Sequence, residues 1–399
     1  MVVYKQIDCF NINMKFWKFL GIYPYNEISP HYNFYSKMFI FIFVIIYDVL
    51  LTLNFFFLPN NLDAFIGEML FYFTVLSVNS KVLTFLFMRK KIVKLLDILE
   101  SKILLPVTNN GLTILRNAKN LNIRYWKILA AISLTCNLIH LLSSLIKHLL
   151  LSVQLELPVS SYSFLSDEIR ERLIYLFYFY QGVGIHFHML YNLNIDSFLP
   201  GIMILLIAQL EILKDILTNV CNSLNFDHKY DEAGDLKNDA ENKFIMKLNQ
   251  TIAHYDEVSR FCYLIQQIFS VTLFVQFSVA SCIICVCLFR FTLPATNEYY
   301  VFLATYMFIM VIQILVPCWI GTQIMDKSCL LSQAIYNCDW IPRPREFKSS
   351  LRLFVVRANR PLSITALKMF PLSLATFTSI MNTAYSFFTL LRHMQAKEN

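Results

Sequence analysis

Apolar runs of membrane-spanning length recur along the whole sequence, and no other feature limits the fold so tightly. A helix needs about 20 mostly apolar residues to cross the ~30 Å hydrocarbon core of a bilayer. Seven stretches qualify. They are Lys37 to Leu58, closed by Pro59-Asn60-Asn61; Phe65 to Met88; Tyr125 to Leu151; Glu171 to about Asn219; Lys243 to Phe291; Tyr299 to Asn337, with Pro317 inside it; and Ala366 to Arg392. Charged residues make up only 15% of the chain and hydrophobic ones 57%, where an average soluble domain has about 25% charged. That much apolar surface would aggregate in water, whereas a bilayer accepts it as solvent. The expected fold is an all-α membrane protein with seven transmembrane helices.

Two runs are too long for the bilayer alone. The fourth and fifth each exceed 40 residues, or over ~60 Å at 1.5 Å per residue. Their junction, Asn222 to Asn242, is rich in Asp, Asn and Lys and belongs in water. A cytoplasmic hairpin below the membrane is therefore expected, where subunits could pack together.

Orientation follows from Lys and Arg. The loop after helix two holds eight between Arg89 and Arg124, and the loop after helix six holds seven between Lys327 and Arg360. The alternate loops are sparse, with Arg170, Arg172 and Arg290, and with Arg392 and Lys397 in the tail. Positive loops stay inside, so the amino terminus is expected in the cytosol and the carboxyl terminus outside. A rhodopsin-like G-protein-coupled receptor has the reverse topology. The chain then divides into a cytosolic segment (1–36), helices one to four (37–217), a cytosolic loop (218–243), helices five and six with cytosolic extensions (244–337), an anchor segment (338–361), the seventh helix (362–392) and an extracellular tail (393–399). Helices four to seven contribute to a cytoplasmic anchor. No cleavable signal peptide is expected, since the first long apolar run starts near Lys37 and no small-residue cleavage site follows it.

Several other readings fall away. The net charge of +7 sits in juxtamembrane clusters such as Arg89-Lys90-Lys91, not in a basic domain, so no nucleic acid partner is expected. Most of the ten Cys lie inside apolar runs, where a thiol acts as a small hydrophobe. His186 and His188, two residues apart on a helix, point away from each other and cannot grip one metal ion. The sequon Asn249-Gln250-Thr251 would face the cytosol and stay unglycosylated. No internal repeat supports a transporter of inverted halves. No nucleophile–base constellation or phosphate loop occurs in a chain with 8 Gly, so neither an enzyme nor a cofactor is expected. Asp48, near the middle of helix one, is costly as a bare charge. Pairing with Lys81 of helix two, or a neutral hydrogen-bonded form, is expected for it. Asp196 is expected near the cytosolic boundary, solvated or packed in the anchor.

The carboxyl-terminal third carries a specific pattern: Ser332-Gln333-Ala334-Ile335-Tyr336-Asn337-Cys338-Asp339-Trp340, then Arg357-Ala358-Asn359-Arg360-Pro361-Leu362, then Phe377 to Arg392 with Ala384-Tyr385 at its centre. This resembles the insect odorant receptor family. Leu20-Gly21-Ile22-Tyr23-Pro24 looks like that family's opening segment, and Ile252-Ala253-His254-Tyr255 like its cytoplasmic His motif. The resemblance implies a tuning subunit of a heteromeric, odorant-gated, non-selective cation channel in the plasma membrane of an olfactory neuron dendrite. Its partners would be a shared co-receptor, in a heterotetramer, and a small volatile odorant or pheromone. The junction of about twenty residues between helices four and five is far shorter than the co-receptor's insertion. Gustatory relatives carry Thr and Gln where this chain has Ala384 and Leu391, which favours an odorant receptor over a gustatory-type receptor channel.

The resemblance makes helix seven the pore lining. Arg360-Pro361 should separate a basic cytosolic part, Phe347 to Arg357, from the membrane part. Two faces compete for the pore. Thr376, Ser379, Thr383 and Ser386 form one stripe, which could equally pack against a neighbouring helix. Alignment on Tyr385 instead implies a pore or gate at Met381, Ala384, Tyr385, Phe388, Leu391 and Arg392, with the last three at the outer constriction. A hydrophobic constriction can gate by dewetting.

The resemblance also places a ligand pocket among the outer halves of helices two, three, four and six. Such a pocket should be apolar with few polar groups. The residues implied are Phe71, Tyr72 and Val75; Leu141 and Ser144; Tyr178, Phe179, Gly182 and Ile185; and Phe302, Thr305 and Tyr306. Gly182 and Gly184 should leave room beside the backbone.

Overall fold

A computed structural model describes residues 5–25, 30–58, 62–106, 108–226, 234–294, 296–337, 340–341 and 343–398. Helix one occupies 30–56, passing through a π-helical stretch at Phe41–Ile46. Helix two is Leu62–Phe87, helix three Asn109–Leu151 and helix four Ile174–Phe226. Helix five is Gly234–Arg290, helix six Asn297–Tyr336 and helix seven Leu374–Glu398. Among the described residues six of these are long and apolar enough to cross a membrane. Helix seven is the exception, with seven Ser, Thr and Asn residues from Thr376 to Thr389.

Helices four, five and six run 53, 57 and 40 residues, about 80, 86 and 60 Å. All three overreach the hydrocarbon core, as the sequence required of the first two. The tip of the expected hydrated junction, 227–233, lies outside the described residues, as do Pro59-Asn60-Asn61 and the Cys338-Asp339 of the carboxyl-terminal motif.

Several boundaries depart from expectation, helix one starting at Pro30, helix four ending at Phe226 and helix five starting at Gly234, and three more have a local cause. Helix three begins at Asn109, about 24 Å of helix before the apolar run. The Thr108 side chain accepts from the Gly111 N–H at 3.0 Å, a cap that hydropathy does not register. Helix four is preceded by a separate turn, Asp167–Arg172, broken from it at Leu173. Helix seven starts eight residues later than the Ala366 expected. Leu367 and Lys368 take φ of 47° and 60°, a left-handed region that a helix cannot continue through. They turn a short antiparallel hairpin, Thr365–Ala366 against Phe370–Pro371. Ser270 of helix five pins the turn, accepting from the Leu367 N–H at 2.8 Å and donating to the Thr365 carbonyl at 3.2 Å. Ser373 then caps helix seven, accepting from the Thr376 N–H at 3.2 Å.

Helix four is the centre of the bundle and touches helices one, two, three, five and six. The amino-terminal segment, Gln6–Phe10 and Asn11–Phe19, wedges against it. Phe10 and Trp17 are fully buried and meet Phe198 edge to face at 4.9 and 4.7 Å. At the same end, Gln209 of helix four donates to Gln6 and to the Leu104 carbonyl, both at 3.0 Å. Its carbonyl oxygen lies 3.0 Å from His254 of helix five. The neighbouring Tyr255 hydroxyl donates to the Arg357 carbonyl at 3.3 Å. The His-Tyr motif thus clasps the anchor helix Arg345–Ala358, whose Phe347, Leu351, Phe354 and Ala358 are buried along one face.

Lys81 corrects an expectation. Its ammonium lies 2.6 Å from Asp196 Oδ1 and donates to Asn192 Oδ1 at 2.5 Å, with side-chain exposure of 1% for Lys81 and 11% for Asp196. Asp48 faces His188 Nε2 at 3.2 Å instead. Nδ1 of that imidazole must donate to the Gly184 carbonyl, 2.9 Å away, so the Asp48–His188 contact is bridged by one proton. Asp196 is therefore neither solvated nor part of the anchor: it ties helix four to helix two inside the bundle. Removing one partner of a buried pair strands the other, at a cost of about 3–5 kcal/mol. Lys81→Met should lower the melting temperature of the detergent-solubilised protein sharply, and Lys81→Met with Asp196→Leu should recover most of the loss. Equal melting temperatures for the single and double variants would show that the pair does not set stability.

Candidate ligand cavity and the last helix

A cavity of about 170 Å³ opens within the bundle among helices one, two, three, four and six. Its outer end is aromatic. The His140, Phe71 and Phe302 rings form a triangle, with His140 5.4 and 5.5 Å from the other two centroids and those two 6.4 Å apart, and Tyr306 stacks on Phe302 at 5.8 Å. The loop between helices three and four closes this end through Val159. Gln181 holds that loop, accepting from the Val159 and Ser160 N–H groups at 3.1 and 3.2 Å. His140 Nε2 donates to the Pro158 carbonyl at 2.8 Å, because a carbonyl can only accept. Asn54 and Glu68 add bonds to Ser163 and Ser161 at 2.6 and 3.3 Å.

The inner end is polar. His188, Asn192 and Asp196 follow one another at four-residue steps on helix four, and Gln313 faces them from helix six. A smaller cavity of about 50 Å³ adjoins here, and Asp196 and Gln313 border both. Aromatic and aliphatic walls with a few polar groups are the usual lining of a small-molecule site.

Of the twelve residues expected at a ligand site, five line this cavity: Phe71, Val75, Ile185, Phe302 and Tyr306. The other seven lie elsewhere. Tyr72 stacks on Phe55 at 5.2 Å. Tyr178 donates to the Leu141 carbonyl, and Gly182 faces the Leu141 side chain. Phe179 is 70% exposed on the outer surface of the bundle. Thr305 donates back to Val301 at 2.8 Å, and Ser144 lies outside the lining. The expected room beside Gly184 is filled by the Tyr47 ring, against which a Cβ would collide. Tyr47, Asn137, His140, His188, Asn192, Asp196 and Gln313 were not anticipated. The four-residue spacing of His188, Asn192 and Asp196, polar on an apolar helix, was the available signal.

Helix seven packs on helices five and six, away from the cavity. Ala384 is fully buried, with Phe377, Ile380 and Met381 packed against the same core. This turns Ala384 into its own subunit and off any free face, while Met381 and Phe388 are half-buried. Tyr385, Leu391 and Arg392 are exposed, as are Ser379, Thr383 and Ser386. Thr376, the first of the hydroxyl stripe, is buried and donates to the Pro371 carbonyl at 2.6 Å.

The architecture is that of a seven-helix membrane protein with an aromatic-walled cavity in the bundle, set apart from a polar last helix. A family model described as the 7tm odorant receptors matches residues 61–385, and the chain belongs to that family. Similar proteins include putative odorant receptor 85d of Drosophila melanogaster, 30% identical over 37% of this chain and 36% of that one. Odorant receptor 59a of the same fly is 27% identical over 54% of this chain and 55% of its own length. The matched segments thus span a third to just over half of these curated relatives. Among solved structures, the olfactory receptor OR5 of Machilis hrabei in complex with eugenol superimposes with a TM-score of 0.81, at 14% identity, over 98% of this chain and all of that one. That likeness establishes the fold.

Gly184 and Gly182 separate space from packing. Gly184→Ala should cost about 1–3 kcal/mol of stability by driving the Tyr47 ring from its seat. Gly182→Ala, whose Cβ would meet only Leu141 at 3.4 Å, should stay within about 0.5 kcal/mol. Melting curves of the two variants check the contrast, and similar losses would refute it.

Proposed function

We infer that this chain is the odorant-tuned subunit of a ligand-gated, non-selective cation channel. The observation that carries the reading is the separation of an aromatic-walled cavity within the bundle from a last helix with an exposed polar face. A small volatile would occupy the cavity, contacting Phe71, Val75, Ile185, Phe302 and Tyr306. Helix seven would line the pore with Tyr385, Leu391, Arg392 and the exposed face of Ser379, Thr383 and Ser386. The membrane part of that helix has no Asp or Glu, so charge selection is not encoded in it. A co-receptor subunit would complete the ring as a heterotetramer in the dendritic plasma membrane. The Lys and Arg distribution supports a cytosolic amino terminus and an external carboxyl terminus.

A physical route joins cavity to pore. Tyr306, Met310 and Gln313 of helix six line the cavity. Pro317, one turn further, removes a rung of the helix ladder and permits bending. Just beyond it, Gly321 receives Leu372 of the hairpin so closely that a Cβ would overlap the Leu372 carbonyl. Thr322 accepts from the Leu374 N–H, the first residue of helix seven, at 3.0 Å. A ligand that shifts helix six therefore moves the start of helix seven.

Co-expression with an insect odorant co-receptor should give a cation current to some members of a volatile panel, and only when both subunits are present. A tag at the carboxyl terminus should stain on intact cells. Silence toward every volatile, while a direct co-receptor agonist still opens the complex, would remove the tuning role. A tag that stains only after permeabilisation would reverse the topology.

A further inference from the structure

We propose that the inner end of the cavity is an acceptor site for a ligand hydroxyl, so that this chain selects alcohols and phenols over ethers and carbonyl compounds of the same skeleton. The inference rests on the cavity being a ligand site and names what that site recognises.

The inner end holds one buried acceptor that has no donor. Asp196 is the one acidic residue among those lining either cavity. Lys81 engages its Oδ1, while Oδ2 is buried with no hydrogen-bond partner. A carboxylate paired with Lys81 on one oxygen and left unsatisfied on the other in a hydrocarbon-like interior is costly. The backbone adds to the imbalance. Pro200 stands four residues after Asp196 and has no N–H to give the Asp196 carbonyl. Pro317 stands four residues after Gln313 and leaves that carbonyl in the same position, where Gln276 Nε2 supplies a substitute at 3.3 Å. Helices four and six thus each lose a rung at one place, and Pro200 and Pro317 both border the smaller cavity beside Asp196.

The chemistry of the ligand follows. A hydroxyl offers the proton that Asp196 Oδ2 lacks, and its own oxygen can accept from an amide such as that of Gln313. A ketone, ester or ether can take the Gln313 bond but has no proton for Asp196 Oδ2, which stays unsatisfied. A protonated amine would meet the Lys81 ammonium already seated on the same carboxylate, and like charges at that separation repel. The body of the ligand lies outward, against the His140, Phe71 and Phe302 rings. From Ile185 to Asp196 the helix-four wall rises about 16 Å, which suits an elongated molecule with its polar group leading inward.

The test uses purified full-length protein in detergent and isomeric probe pairs that differ only in where the oxygen sits: n-octanol with heptyl methyl ether, and para-ethylphenol with para-methylanisole. Thermal stabilisation is read against probe concentration. A hydrogen bond to a charged acceptor is worth roughly ten-fold or more in affinity, so each hydroxyl isomer should reach half-maximal stabilisation at about ten-fold lower concentration than its ether. In Lys81→Met with Asp196→Leu the ratio should fall to about one. Should that variant fail to fold, the wild-type comparison stands without it. Equal concentrations for the two isomers, a tighter ether, or no stabilisation by any probe each overturn the proposal; a resident water satisfying Asp196 would give the first of these. The assay needs no current. A hydroxyl preference without odorant-evoked current leaves the cavity chemistry intact and removes the channel role, and the reverse result does the opposite.

Discussion

A bilayer offers no hydrogen-bond partners, so every polar group carried into it must find one inside the protein. That constraint decides which helices of this chain stand side by side. Lys81 can exist where it does only because Asp196 and Asn192 are within 2.6 Å. Asp48 requires His188, and His186 requires Asn137, whose amide oxygen lies 3.1 Å away. Each pairing fixes the rotation of two helices about their axes, which apolar contact alone would leave loose. Helix four supplies a member of all three, and it is accordingly the element around which the rest are arranged.

The same accounting explains how the cavity can be covered by a loop and polar at one end. The loop from helix three to helix four would be a run of unsatisfied backbone were it not for Gln181, His140, Asn54 and Glu68. These side chains turn it into a roof. Beneath it the aromatic rings give a ligand dispersion contact without demanding a direction. Only at the level of Asp196 does the lining become particular.

Much of this was legible in the sequence, and the limit has a physical cause. Hydropathy and length gave the helices, including the excess of helices four and five, because a bilayer fixes how many apolar residues a crossing needs. The carboxyl-terminal motif identified the family. Rotation was not legible. With 36 Phe and 21 Tyr, aromatic side chains crowd most of the helices, so Phe179 looked as much like a wall residue as Phe71. Tyr47 was missed because helix one was not counted among the walls, and its ring needs the notch at Gly184. Lys81 was matched to Asp48 because they lie on consecutive helices; the true partner is more than a hundred residues away in sequence. The start of helix seven escaped because left-handed backbone at Leu367 and Lys368 has no signature in two residue types that rarely adopt it.

The two internal prolines have a mechanical meaning of their own. A helix with an intact ladder resists bending along its whole length, so a push at one end arrives diluted everywhere. Pro200 and Pro317 flank the same small cavity and give helices four and six a shared soft plane. The long shafts on the anchor side of that plane are clasped by Gln209, His254 and the helix from Arg345 to Ala358. The two breaks in the ladder thus lie side by side at one level of the bundle, where neighbouring helices can bend together rather than one against the other.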